Sequence, residues 1–313
     1  MVEIKEHVEL KPYTYFKIGG PALFFAEVKT AGELAKAIAF AKDKKLPFFV
    51  AGAGSNVLLA DKGFNGLFIR ILLRDIKREK DSLFAGAGLP MAVLVARALQ
   101  EGLSGVEWAI GVPGTVGGSI RGNAGCFGAE VKDVLSSVKI LNTESGLIEK
   151  HDNAFCAFGY RDSIFKKNPQ LIVLEGEFAL TSGDAETSRM MVRKYTSERS
   201  DHQDIGSASA GCVFKNVVWP KDPDLRARLL RIAPQLSQFQ NWPTISAGFL
   251  IDILGLKGKT VGNVSISKKH GNYFINNGGA TAEEVVMLVG IVKEYAHRKF
   301  DLHLEEEIQY VGF

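Results

Sequence analysis

Apolar residues recur along this chain in two rhythms, one of about 3.6 residues and one of two. Leu34, Ile38 and Ala41 repeat at helical spacing behind Thr30 and Glu33, a capping-box pair. They predict a helix that follows the strand Leu23–Val28. The run Pro47–Ala51 predicts a strand, Gly52-Ala53-Gly54-Ser55-Asn56 a turn, and Val57-Leu58-Leu59-Ala60 a further strand. Residues 67–71 and 83–86 also read as strands, and Pro90 opens a helix over Met91–Gln100. Strands are predicted at Ser137–Leu141 and Leu147–Lys150, joined by a turn, and again at Leu171–Leu180. A helix is predicted over 185–199, and the polar segment 200–209 reads as a linker. The last third predicts helices over 222–234 and 246–254, with a loop between them. A second capping box, Thr281 and Glu284, opens a helix to about 299 with Val285, Leu288, Val289 and Val292 on one face. A final strand alternates. Leu304, Glu306, Ile308 and Tyr310 share one face; Glu305, Glu307, Gln309 and Val311 share the other.

The stretch 109–128 interrupts both rhythms. Seven of its twenty residues are glycine, and each glycine costs a helix or strand interior about 0.5–1 kcal/mol relative to alanine. It therefore predicts a loop. Ile110, Val112, Val116 and Ile120 stand between the glycines, so the loop is expected to be packed, and Arg121 is its single charge. Such loops turn through positive φ, approach ligands closely and offer backbone N–H groups to phosphate. The turns at Gly52–Asn56 and Gly86–Gly88 could be mistaken for dinucleotide fingerprints. Neither has the third glycine at the required spacing, and Val57–Ala60 reads as a strand, so a Rossmann nicotinamide fold is rejected.

Composition narrows the class. The chain has 313 residues, room for two or three domains, with 46% hydrophobic and 23% charged residues. A net charge of +3 without a basic stripe argues against a nucleic-acid partner. No apolar run approaches the roughly 18 residues needed to span a bilayer, so no membrane partner is expected. The N-terminal Met-Val-Glu-Ile-Lys-Glu-His has no apolar signal core, and a cytoplasmic location is expected. Cys126, Cys156 and Cys212 are far apart and the six histidines are scattered, so neither a disulfide framework nor a metal site is expected.

The order of short motifs is more specific. It runs Thr14-Tyr15-Phe16-Lys17-Ile18-Gly19-Gly20, Gly52–Asn56 with Val57-Leu58, and Gly111–Gly128 with its Pro-Gly and Asn-Ala-Gly segments. Gly159-Tyr160-Arg161-Asp162-Ser163, Ser209–Asn216, Ala247–Asp252, Gly255–Gly258, Ser267–Asn272 and Leu304–Ile308 follow. In this order the chain resembles the UDP-N-acetylenolpyruvoylglucosamine reductase family over nearly its whole length. The resemblance implies an α+β fold. A two-subdomain FAD-binding module, similar to the vanillyl-alcohol-oxidase (PCMH-type) fold, would occupy 1–75 and 76–205. A C-terminal α+β substrate domain would occupy 206–313. The short span from Arg161 to Cys212 leaves no room for the substrate-capping loop of one family type, so the type II form is implied. The implied activity is an NADPH-driven, FAD-dependent reduction of UDP-N-acetylglucosamine enolpyruvate to UDP-N-acetylmuramate in peptidoglycan precursor synthesis. Hydride passes from FAD N5 to C3, and a proton goes to C2. The protein is expected to act as a monomer on this small UDP-sugar. Another FAD oxidoreductase or oxidase on the same fold, or a non-catalytic nucleotide-binding scaffold, is the alternative.

Three residues then carry the implied chemistry. Arg161 matches the family arginine, whose planar fork suits a carboxylate; by the residues alone, a structural salt bridge, as with Asp162, is the preferred reading. Cys212 stands where most relatives carry the serine that protonates C2. A thiol, with an ordinary pKa near 8.5, is the stronger acid, although a small buried cysteine is the alternative. Glu307 matches the family glutamate that supports the enolate or the proton relay; Glu305 and Glu306 are its rivals, and a solvated acidic edge is the plain alternative. For FAD, the implied contacts are Gly52, Ala53, Gly54, Ser55, Asn56 and Val57, which hold the pyrophosphate, and Gly111, Pro113, Gly114, Gly117, Gly118, Asn123, Ala124 and Gly125, which line the rest. Tyr160, Asn216, Lys257, His270 and Asn272 are the substrate-binding candidates. Val217 follows Asn216 where the family usually has proline, and Asp201-His202-Gln203-Asp204 replaces a segment that usually holds lysine and proline.

Overall fold

A computed structural model describes residues 2–313. They divide into two compact units. The first comprises the start of the chain to Glu9, Pro21–Gly54 and Gly63–Asp201; the second comprises Leu10–Gly20, Ser55–Lys62 and His202–Phe313. This grouping is not linear in sequence, unlike the boundaries at 75 and 205. Its cause is backbone pairing. The strand Val57–Leu59 lies parallel to Gln309–Val311, and the Gly20 and Ala60 amides donate to Ala60 and Val311 carbonyls at 3.0 and 2.9 Å.

In the first unit, Thr30 Oγ1 accepts from the Glu33 amide at 3.1 Å, and Glu33 Oε2 accepts from Lys29 N at 2.7 Å. So capped, the helix Ala31–Asp43 buries Leu34, Ala37, Ile38 and Ala41. It connects two strands of a four-stranded sheet ordered Ile4–Glu9, Pro21–Val28, Phe64–Ile71, Phe48–Ala51. The first pairing is antiparallel and the others are parallel. A second, fully antiparallel sheet is ordered Ile148–Asp152, Leu135–Asn142, Leu171–Ala179, Ser82–Gly86, Ile76–Glu79. The helix Met91–Gln100 buries Met91, Leu94, Val95 and Ala98 in the same core. The predicted loop at 109–128 contains a helix, Val116–Gly122. At Gly117 the helix comes too close to its neighbour for a side chain: a Cβ there would stand 2.8 Å from that of Ala87. Val116, Ser119 and Ile120 fill the core beneath it.

In the second unit, Phe16, Ile18 and Leu58 share a core with Phe214, Leu250, Phe274, Leu288 and Phe300. The Thr281–Glu284 capping box is formed in both directions and opens the helix Ala282–Phe300. A three-stranded antiparallel sheet is built from Thr260–Val261, Val264–Ile266 and Phe274–Asn276. Two local expectations are corrected. The helix expected to end at 199 runs on to His202, taking the first part of the predicted linker. The C-terminal alternation breaks after Ile308: Val311 is buried and Tyr310 exposed, and only Gln309–Val311 is a strand.

Candidate active site

The first unit contains a cavity of 560 Å³. Its walls come from Phe48–Gly52, the start of the strand Leu171–Ala179, and Thr115, Gly117, Gly118 and Arg121 of the glycine-rich segment. Most of the lining is apolar. The backbone comes unusually close: a Cβ on Gly52 would strike the Thr115 hydroxyl. The first N–H groups of the glycine-rich helix are not held in reserve for phosphate. Val116 and Gly117 donate theirs to Leu89 and Ala87 carbonyls at 2.8 and 2.9 Å.

Arg121 is the distinctive group of this cavity. Burial pushes its guanidinium down from the ordinary arginine range, and no carboxylate offsets that. Among the described residues its side chain has neither an ion pair nor a hydrogen bond. Lys42, also in the wall, donates to the Thr143 carbonyl. An apolar cavity of nucleotide size with one uncompensated cation suits a flat aromatic group that carries phosphate. FAD fits that description. Gly52, Gly117 and Gly118, expected at the cofactor, line this cavity; Ala53, Gly54, Gly111, Pro113, Gly114, Ala124 and Gly125 do not. Ser55, Asn56 and Val57 fall in the second unit, where the Asn56 amide donates to the Glu307 carbonyl at 3.1 Å.

Asn123 is used differently from the expectation that it approaches the flavin. It is fully buried and caps the glycine-rich helix in the left-handed region. Its Nδ2 donates to Glu130 Oε2 at 3.0 Å and Gly159 O at 2.9 Å, while Oδ1 accepts from Lys132 N at 3.0 Å. It thereby anchors the turn that presents Arg161.

That turn spans Gly159–Asp162 and is closed by the Asp162 amide on the Gly159 carbonyl at 3.2 Å. Arg161 is at its third position with φ of 53°, a conformation unusual for a side-chain-bearing residue. Its Nη2 donates to Gly125 O at 2.8 Å, and its guanidinium carbon stands 5.3 Å from the Tyr160 ring centre. Asp162 has Lys167 as a partner at 2.8 Å. Beside this turn, Cys126 Sγ donates to Trp108 O at 3.0 Å and accepts from Arg199 Nη2 at 2.9 Å. Burial pushes its thiol up, against the pull of Arg199 and Arg161.

The second unit brings Cys212 and Glu307 onto neighbouring segments. Glu307 donates its amide to Val213 O at 2.7 Å, Lys215 donates to Glu305 O at 2.8 Å, and Phe214 pairs with Glu306. On the other side Cys212 pairs with Tyr273. Glu306 is held by Lys293 at 3.1 Å and Glu305 by Lys215. Asn216 Oδ1 accepts from Ala247 N at 3.1 Å, and Lys257 pairs with Asp252 at 2.7 Å. Burial, and then the nearby Lys257, push the His270 imidazole down. Asn272, expected at the substrate, is 2% exposed with both side-chain polar atoms bonded to Phe214.

Sequence reasoning left Arg121 without a role. Its signal was present: it is the only charge within 109–128.

Residues 22–151 match the FAD binding domain family, and residues 203–311 match UDP-N-acetylenolpyruvoylglucosamine reductase, C-terminal domain. The chain is 36% identical to UDP-N-acetylenolpyruvoylglucosamine reductase of Carboxydothermus hydrogenoformans, over 99% of this chain and 94% of that one. It is 33% identical to the enzyme of the same name from Lactobacillus delbrueckii subsp. bulgaricus, over 99% and 96%. Among solved structures it is similar to UDP-N-acetylenolpyruvylglucosamine reductase from Thermus caldophilus, with a TM-score of 0.78, 32% identity, and coverage of 99% of this chain and 100% of that one. A half-buried cation in an apolar cavity, backbone pairing of the Glu307 segment with the thiol-bearing segment, and kinship along the full length lead to one conclusion: this chain belongs to the UDP-N-acetylenolpyruvoylglucosamine reductase family.

Proposed function

We propose that this protein is an FAD-dependent reductase that converts UDP-N-acetylglucosamine enolpyruvate to UDP-N-acetylmuramate for peptidoglycan synthesis, with NADPH as the electron donor. It would work as a cytoplasmic monomer, and no helix of the described residues is long and apolar enough to cross a membrane. The observation that carries the reading is the backbone pairing of the Cys212 and Glu307 segments, in a chain whose first unit has a cavity suited to FAD.

Gly52, Gly117, Gly118 and Arg121 would hold the cofactor, with the arginine opposing phosphate charge. The cofactor, when bound, would supply the hydride for C3 of the vinyl group. Arg161 takes the substrate carboxylate, where negative charge accumulates, through a fork held in place by Gly125 O. The Cys212 thiol holds the proton destined for C2 at Sγ. Glu307 polarises or replenishes that proton; its backbone is fixed by Val213 and Asn56. Tyr160, Asn216, Lys257 and His270 orient the UDP-sugar.

Half-reactions measured separately test the assignment of Cys212. Cys212→Ala is expected to leave NADPH-driven flavin bleaching within about twofold and to stall recovery on substrate by roughly 100-fold, the usual size of a lost general acid. Cys212→Ser is expected to keep much of the activity. Normal turnover by Cys212→Ala removes the thiol from the mechanism.

A further inference from the structure

The segment that carries Cys212 is not part of a regular sheet. It is held by two isolated bridges, Cys212 to Tyr273 and Phe214 to Glu306. Where a third strand would complete the ladder beside Phe214, a side chain stands instead. Asn272 Oδ1 accepts from the Phe214 amide at 2.9 Å, and Asn272 Nδ2 donates to the Phe214 carbonyl at 2.8 Å. The side chain thus satisfies one donor and one acceptor of the same residue, as the peptide group of a neighbouring strand does. The main chain of Asn272 adds a further bond, its carbonyl accepting from Val213 N at 2.9 Å. Asn272 is 2% exposed and Phe214 1% exposed, so water does not replace these partners. Gly211, just before the thiol, has a φ of 77°, and its amide donates to Ser209 Oγ at 3.2 Å.

We infer that Asn272 is a positioning residue for the Cys212 thiol rather than a contact for the UDP-sugar. This rests on the reading of Cys212 as the proton donor. The clamp fixes the two residues after Cys212 against Asn272 while Glu307 fixes Val213 from the opposite edge. The backbone that carries Sγ is therefore held from both edges. A shift of about 1 Å in a reacting group costs up to roughly 100-fold in rate.

The test uses the FAD-loaded protein with Asn272→Ala, Asn272→Asp and Cys212→Ala, alone and combined. Asn272→Asp is nearly isosteric and keeps the acceptor for Phe214 N, but sets an oxygen against the Phe214 carbonyl. It serves where the alanine variant fails to fold. Stopped-flow absorbance separates flavin reduction by NADPH from reoxidation by the enolpyruvyl substrate. The expected result for either Asn272 variant is normal flavin content, reduction within about twofold, and reoxidation slowed ten- to 100-fold at saturating substrate. In the Cys212→Ala background, Asn272→Ala slows reoxidation no further, because the group it positions is gone. Three results overturn the inference. One is an additive loss in the double variant together with a raised KM, which assigns Asn272 to substrate binding. Another is equal loss in both half-reactions or loss of flavin, which assigns it to general stability. The third is reoxidation within twofold of the unsubstituted protein. Failure of the underlying reading is told apart by Cys212→Ala alone, whose normal turnover removes both.

Discussion

Replacing Arg121 by methionine sets the cofactor-free and FAD-bound forms against each other. In the structure its guanidinium is pushed down by burial and has no compensating carboxylate. Removing an unpaired, partly buried charge while keeping an apolar stem of similar length therefore stabilises the cofactor-free protein. The group is only partly shielded from water, so the gain is discounted to about 1 kcal/mol, or roughly 2–4 °C in Tm for a unit of this size. In the FAD-bound form the same substitution deletes a charge-assisted contact, worth about 1.5–3 kcal/mol. That is a rise in FAD Kd of roughly ten- to 150-fold. Differential scanning fluorimetry of protein stripped of flavin gives the first quantity, and flavin fluorescence titration gives the second. The opposite signs are the point. A variant that lowers both stability and affinity has a damaged fold, and a variant that binds FAD within twofold of the parent refutes the role assigned to Arg121.

Three other perturbations probe the scaffold. Glu107 is buried, with Oε1 accepting from Ser104 at 2.7 Å and Ser188 at 2.6 Å, and Oε2 from Gly105 N at 2.8 Å. Burial pushes its carboxyl up, but these hydrogen bonds outweigh it and hold it below its usual range. Its contribution to stability is therefore complete above the ordinary carboxylate pKa and is lost as pH falls through the depressed value; urea unfolding between pH 7 and pH 3 should show Glu107→Gln losing less stability on acidification than the parent. Asp61 accepts from Ala282 N at 3.0 and 2.9 Å and from Glu283 N at 3.3 Å, so Asp61→Ala should cost about 1–2 kcal/mol in the same assay despite the intact Thr281 cap. Gly63 has a φ of 85°, and a Cβ there would run into the Pro21 carbonyl, so Gly63→Ala should lower stability by roughly 2 kcal/mol or more, read as a fall in Tm.

Local features were legible in the sequence because they depend on neighbours in the chain. The Thr281–Glu284 box and the inward face Val285, Leu288, Val289, Val292 formed as their spacing predicts. Long-range features were not. Pairing of Val57–Leu59 with Gln309–Val311 joins strands some 250 residues apart, and no periodicity encodes a partner. The glycine-rich helix was hidden because glycine content argues against helix on propensity alone, whereas at Gly117 close approach to Ala87 requires glycine. The candidate site divides along the same line. Arg161, Cys212 and Glu307 could be named from their motifs. The positive φ that presents Arg161, the Asn123 anchor behind it and the Asn272 clamp beside Cys212 depend on tertiary hydrogen bonds. The break in the C-terminal alternation arose likewise, since Glu306 bridges to Phe214 and regular pairing resumes only at Gln309.

The central claim is tested most directly by an anaerobic titration of the purified, FAD-loaded protein. NADPH is expected to bleach the flavin absorbance, and UDP-N-acetylglucosamine enolpyruvate, added next, to restore it with formation of UDP-N-acetylmuramate in equal amount. Bleaching by NADPH with no recovery on that substrate would contradict the account.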